Sequence, residues 1–315
     1  MTGSIGAHGL YTAIDLAGLP PPQIIAQPDF EAIFAARKAR LIEIAEALGR
    51  PDYLDELTAA LELESEPLVQ LLQEDSYREL LLRAAVQDAG KGNLLAFAQG
   101  AVLDHLGAFY GVARQVIQEA DNSVSPPIEQ VLENDIQFRL RIQLAPEGFS
   151  TAGPAGAYIF WGRTASPLVK DVAVSKTAVP GQVAMTILST EGDGTPSDDL
   201  LQQVIDTVTP RKPLCSELFV HAPQIVPYSI EASLILYEGP GADQVLQEAL
   251  KSVEDFVAAR HRLGHDITIA ALHAALVRPG VQNVTMANPT TDLVIAGNQV
   301  AWCADINVTI GGRDV

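Results

Sequence analysis

The chain has 315 residues, 48% of them hydrophobic and 19% charged, which suits one large domain or two to three modest ones and excludes a disordered chain. With 39 acidic residues against 20 basic ones the formal charge is -19, spread over both halves without any Lys/Arg run. That argues against direct nucleic-acid binding and leaves a basic partner or simple solubility as the use of the acidity. No stretch approaches the ~18 uninterrupted apolar residues of a membrane-spanning helix, and the first residues lack a basic region followed by an apolar one. A chain made in a cytoplasm, with no signal peptide and no membrane contact, is the expectation.

In chain order, residues 1–27 end in "GLPPPQIIAQP", whose prolines block regular structure and predict an extended arm. Asp29 is placed to cap a helix in which Phe30, Ile33, Phe34, Leu41 and Ile44 recur at helical spacing. Pattern alone leaves two readings open, a helix docked on its own domain and a helix lent to a partner. Helices continue over 53–109, broken near "ESEP" (64–67) and "AGKGN" (89–93), with Ser65 as a candidate cap and Pro67 in a first helical turn. Leu68, Leu71, Leu72, Tyr77, Leu81 and Leu82 form a strong apolar stripe, and His105 reads as a surface or hydrogen-bonded residue. Together 28–111 form an expected helical region. "DNSVSPP" marks a linker over 112–130, followed by a connecting helix ended by Pro146, so that 112–165 joins the two halves.

The remainder, 166–315, changes character. "VKDVAVSK" and "QVAMTILS" are β-rich runs around a Pro180–Gly181 turn, and "DDLLQQVIDTV" is a helix. "ELFVHAP" and "YSIEASLILYEG" read as strands, "DQVLQEALKSVEDFVAARHRLG" as a helix stopping at Gly264, and 267–277 as another. "VQNVTMA" and "QVAWCADINVTI" return to strand. The fold class is α+β, a helical N-terminal region followed by mixed α/β domains. A strand, an EGxG turn and a capped helix occur twice, from Ala184 and from Glu231, which suggests a repeated unit.

Several motifs invite chemistry. The EGxG turns (191–194 and 238–241) sit where phosphate loops sit, but they lack the required spacing, and Glu191, Asp193 and Glu238 would repel phosphate. In "GFSTAGPAG" the nucleophile-elbow pattern around Ser150 fails because Ala152 stands where glycine is needed. His261, His265 and His273 could serve a metal-dependent hydrolase, since histidines four apart on a helix can share a metal. Against this, Arg262 lies between the first two, no glutamate is present as a base, and Gly264 predicts a left-handed helix stop before His265. Asp266 or Thr268 is then the cap of the next helix, and the cluster reads as capping and packing. Cys215 and Cys303 read as buried free thiols.

Five segments carry a resemblance over about Asp15 to Gly312: "DLAGLPPPQIIAQPDFEAIFAARKARL", "LELESEPLVQLLQEDSYREL", "STAGPAGAYIFWGR", "ARHRLGHDITIAALHAALVRPGVQNV" and "CADINVTIGG". In content and order they resemble the baseplate assembly protein J family of contractile phage tails, which has relatives in tail-derived bacteriocins and contractile injection systems. The resemblance implies an inner baseplate wedge component with no enzymatic activity and no cofactor. Its N-terminal helices join a bundle with a second wedge protein, while its C-terminal part meets other copies in a ring around the hub and spike. Sheath-initiator and hub proteins are further implied neighbours, and the ring rearranges on contraction. On that basis Phe30, Ile33, Phe34, Leu41 and Ile44, with Leu68, Leu71 and Leu72, are the expected bundle residues. No catalytic, cofactor-binding or metal-binding residue is expected.

Overall fold

The computed structural model describes residues 16–25, 29–239 and 241–314. Most of the expected arm 1–27 (residues 1–15, 26 and 27) lies outside the described residues, as does residue 28. The chain divides into two compact units, Asp15–Phe109 and the part from Tyr110 onward.

The smaller unit is helical. Helix α1 (Phe30–Ala47) starts where Asp29 accepts a hydrogen bond from the Glu31 backbone at 3.1 Å, as its position implied. Helices α2 (Pro51–Leu61) and α3 (Pro67–Gly92) both open on proline, whose missing N–H costs nothing in a first turn. Ser65 does not cap α3; Glu66 occupies the cap position and makes no side-chain bond there. A last helix, α4 (Gly100–Phe109), closes the unit. The core of α1–α3 gathers Ala45, Leu57, Leu61, Val69 and Leu72, with Phe34, Leu41 and Leu68 packed against them.

The larger unit opens with a small hairpin of β1 (Val116–Gln118) and β2 (Val131–Leu132) across the segment expected to be a plain linker. It is tied down by a buried ion pair between Glu133 and Arg141 on helix α5 (Asp135–Gly148). This helix begins at Asp135, capped by Asn134, and Pro146 lies inside its last turn instead of ending it. Near a helix end the ring removes only the bond to one carbonyl four residues back. Helix α6 (Ala155–Ala165) follows within the segment assigned to a connection. It is buried nearly all round, including Tyr158, Ile159 and Phe160, so it lacks the polar face that would have betrayed it as a helix.

Two three-stranded sheets make the rest. The first places β4 (Gln182–Ser189) between β3 (Val169–Lys176), antiparallel, and β5 (Glu217–His221), parallel, with helix α7 (Asp198–Val208) as the crossover from β4 to β5. The second places β6 (Gln224–Tyr237) between β7 (Val281–Asn288), antiparallel, and β8 (Gln299–Asp314), parallel. Helices α8 (Ala242–Arg260) and α9 (Ile269–Leu276) lie between β6 and β7 in the chain. The repeated strand–turn–helix unit is therefore real in β4–α7 and β6–α8, and each central strand has one antiparallel and one parallel neighbour. The copies differ in how the chain returns, directly to the parallel neighbour in the first and by way of the antiparallel one in the second.

Alternation along β6 sends Ile230, Ala232, Leu234 and Leu236 onto Ala249 and Val253 of α8 and Leu272 and Leu276 of α9. Each large aliphatic side chain so buried contributes roughly 1.5–3 kcal/mol. A smaller apolar cluster of Ala173, Leu188, Leu263 and Val300 joins the two sheets.

Candidate assembly interface

The N-terminal unit sorts the expected bundle residues into two groups. Ile33 and Leu72 are buried, Phe34, Leu41 and Leu68 pack on the unit's own core, and Phe30 is half-buried and stacks on Phe34 at 5.9 Å between ring centres. Ile44 and Leu71 remain exposed, at 46% and 58%. The apolar stripe on α3 is split in the same way. Leu72 faces inward, while Leu82 (67%), Val86, Leu81 and Tyr77 face out with Leu71. At 100° per residue Leu71, Leu82 and Val86 fall within about 60° of one another, while Leu81 and Tyr77 lie round the helix on one side and widen the exposed arc to about 180°. Sequence periodicity could not separate the two sides, because a face buried by the chain and a face left open have the same composition. Val86, four residues after Leu82, continues the same face and was not among the expected residues.

The opposite side of α3 is fully employed. Arg37 of α1 reaches Glu79 at 2.8 Å, and Arg83 reaches the same carboxylate at 2.5 Å. Hydrogen bonds from Arg37 and then Arg83 hold the Glu79 carboxyl below its ordinary range. One turn further on, Gln87 accepts from the Ile24 and Ile25 backbone at 3.0 and 3.1 Å and donates to the Pro22 carbonyl at 2.9 Å. Gly90 completes the seat, since a Cβ there would overlap the Ile24 side chain. The described end of the Pro-rich arm is thus bound to α3.

The histidine cluster has a different character. Helix α8 ends at Arg260 and Gly264 has φ +69°, so the expected left-handed stop is present. The restart comes at Ile269 with Thr268 as cap, its hydroxyl accepting from Ala271 at 3.3 Å. Asp266 is not the cap; it accepts from the Ile295 backbone at 2.7 Å. His261 is buried, its Nδ1 2.6 Å from the Lys170 ammonium and its Nε2 3.1 Å from the Asp193 carbonyl, with Trp302 edge-on at 5.2 Å. That pairing requires a neutral ring, Nδ1 accepting from Lys170 and Nε2–H donating to Asp193. Burial and then the Lys170 charge keep the imidazole pKa below its ordinary value. Below it, Asp171 accepts from Arg163 at 2.7 Å and from the Leu263 backbone at 3.2 Å. The first EGxG turn is closed by a Gly194 to Glu191 backbone bond at 2.9 Å and supplies the carbonyl that holds His261.

Neither His265 nor His273 joins His261 in a ligand set, and no group of three or more His, Cys, Asp or Glu side chains suited to a metal occurs among the described residues. Ser150 accepts from the Ala152 backbone at 3.4 Å in a turn. Both cysteines are free, but the expectation that they are buried fails. Cys215 is exposed in the loop before β5, and Cys303 is half-buried, its thiol pKa raised by that burial.

A chain in which the most enzyme-like cluster is packing, and in which one helix turns an apolar face outward, has the build of a structural, assembly-forming protein. Three family models cover most of it: the Baseplate J-like N-terminal domain over residues 64–121, the central domain over 150–222 and the C-terminal domain over 228–309. It is 42% identical to baseplate protein J of Escherichia phage P2 over 303 residues, 96% of this chain and 99% of that one. The chain belongs to the baseplate J-like family, and is a structural component of the baseplate of a phage or prophage-derived contractile tail. Among solved structures it is similar to a chain of the anti-feeding prophage baseplate, at 14% identity and a TM-score of 0.41, covering 61% of this chain and 49% of that one.

Proposed function

We propose that this protein is a wedge component whose helical unit joins a bundle with a second wedge protein, while its two-sheet unit contacts other copies to form a ring around the hub and spike. The ring rearranges when the sheath contracts, and the sheath-initiator and hub proteins are its further neighbours. Neither nucleic acid nor membrane enters this reading; no described helix is long and apolar enough to cross a bilayer.

The observation that carries it is the outward face of α3, with Leu71 58% and Leu82 67% exposed on a helix whose other side is already occupied. Several large apolar side chains in a row along one helix mark a surface that another helix covers. Ile44 at the end of α1 and Leu71 are the expected bundle residues free to serve there; Phe30, Ile33, Phe34, Leu41, Leu68 and Leu72 support the face from within.

The test is the double substitution Leu71→Asp and Leu82→Asp, scored by the yield of complete tails from the producing strain. Central apolar contacts are worth about 2 kcal/mol or more each, so the yield should fall by about a hundredfold or more while the purified chain keeps its helicity. A normal yield of tails would refute the reading. The hydrolase alternative is disfavoured by His261 itself, whose two ring nitrogens are committed to an ammonium and a carbonyl.

A further inference from the structure

Inside the larger unit a cavity of about 160 Å³ opens between the start of α5, the end of α6, β3 and the end of α8. Its walls carry Arg163, Lys170 and Arg262 and not one acidic side chain, in a chain where acids outnumber bases 39 to 20. The three cations differ in how they are matched. Arg163 is neutralised by Asp171 at 2.7 Å. Lys170 donates to His261, which is neutral and offers no counter-charge. The side chain of Arg262 is exposed and has no carboxylate partner among the described residues. Asn134 and Gln137 place the first turn of α5 on the same wall, its N-terminus already capped by the Asn134 side chain and carrying Asp135. Burial and then the Arg262 charge lower the Lys170 pKa against the opposing pull of Asp171, a carboxylate already bonded to Arg163, so three cations share one counter-charge around this space.

We infer that this cavity receives a carboxylate side chain from a second copy of the protein. The inference rests on the reading above that copies contact one another through the two-sheet unit. The size is too small for a metabolite, since small-molecule sites run from about 300 to 1,000 Å³, and suits one side chain. Ile136, 67% exposed, with Leu140 and Ala258, lines the cavity beside the cations and covers the alkyl stem of an aspartate or glutamate. Net charge selects the occupant further. Two chains of charge -19 repel as whole bodies, so contact between them needs a place where the local sign is reversed. Exposed acidic turns are abundant on any copy, and this basic recess supplies their complement.

The experiment is Arg262→Glu, with Arg262→Lys beside it, scored by tail yield from the producing strain. Arg262 is exposed and has no carboxylate partner among the described residues, so both purified variants should melt within about a degree of the parent. Arg262→Glu should lower tail yield at least tenfold, and Arg262→Lys should restore most of it. Selection for suppressors of Arg262→Glu should return Asp or Glu changed to Lys or Arg within this same chain. Normal tails from Arg262→Glu would overturn the site, and suppressors confined to another baseplate protein would overturn the second copy as occupant. The Leu71→Asp, Leu82→Asp variant is run in parallel. If that variant fails to assemble while Arg262→Glu is normal, only the carboxylate site falls; if both assemble normally, the wedge reading itself has failed.

Discussion

The two units of this chain use apolar residues differently. Around β6 a cluster of fifteen buried residues is closed by helices of the same unit, whereas among the described residues the α1–α3 cluster gathers five and leaves Leu71, Leu81, Leu82 and Val86 outside. The sheet unit also leaves large apolar residues exposed, Phe149, Leu214 and Val294 among them, but these do not line up along one helix as those of α3 do. On the function proposed above, apolar side chains of the same chemistry serve folding around β6 and contact on the open face of α3.

Truncation tests that difference most strongly. Leu234→Ala, at a fully buried site on β6, should cost about 2–5 kcal/mol in denaturant unfolding. Leu82→Ala, the same change on the open face of α3, should stay within about 0.5 kcal/mol. Equal costs would mean that the α3 face is already covered within the free chain. A smaller effect is expected from Gln87→Ala, which leaves the Ile24 and Ile25 N–H groups and the Pro22 carbonyl without their partner. Because these groups are only partly buried, the loss should be about 1 kcal/mol and should appear as faster proteolysis of the arm. Unchanged cleavage would show that the seat beside Gly90 suffices.

The smallest effect concerns pH and belongs to the sheet unit alone. His261 has a folded pKa below the unfolded value of 6.5, so the unfolded state takes up the proton first as pH falls. Its stabilisation is complete above about pH 6.5 and is lost between there and the depressed folded value. His261→Gln keeps an acceptor and a donor without titrating, and should reduce the drop in melting temperature between about pH 7.5 and pH 5.5. An unaltered drop would assign the pH dependence to carboxylates elsewhere.

Much of the local structure was legible because it is written in single residues. Asp29 caps α1, Pro67 opens α3 and Gly264 ends the segment after α8, each for a reason local to the backbone. The α+β class and the strand–turn–helix repeat followed from periodicity. Helix α6 was hidden because burial on all sides erases the polar face, and the hairpin of β1 and β2 because its strands are two and three residues long. Asp266 and Thr268 are both good caps by type; which one caps α9 depended on Ile295, 29 residues from Asp266. The candidate interface was legible as an apolar stripe but not as a surface, since which side of α3 faces out depends on where α1 and the arm pack.

The contact between Gln87 and the arm has a consequence for how this sequence can vary. One side-chain amide, with its carbonyl accepting two N–H groups and its NH2 donating to a carbonyl, does for the arm what a neighbouring β-strand would do. It reads main chain and not side chains, so the segment 20–25 is free to change composition so long as Ile24 still fills the space above Gly90. A single glutamine on the helix acts as a one-residue sheet edge.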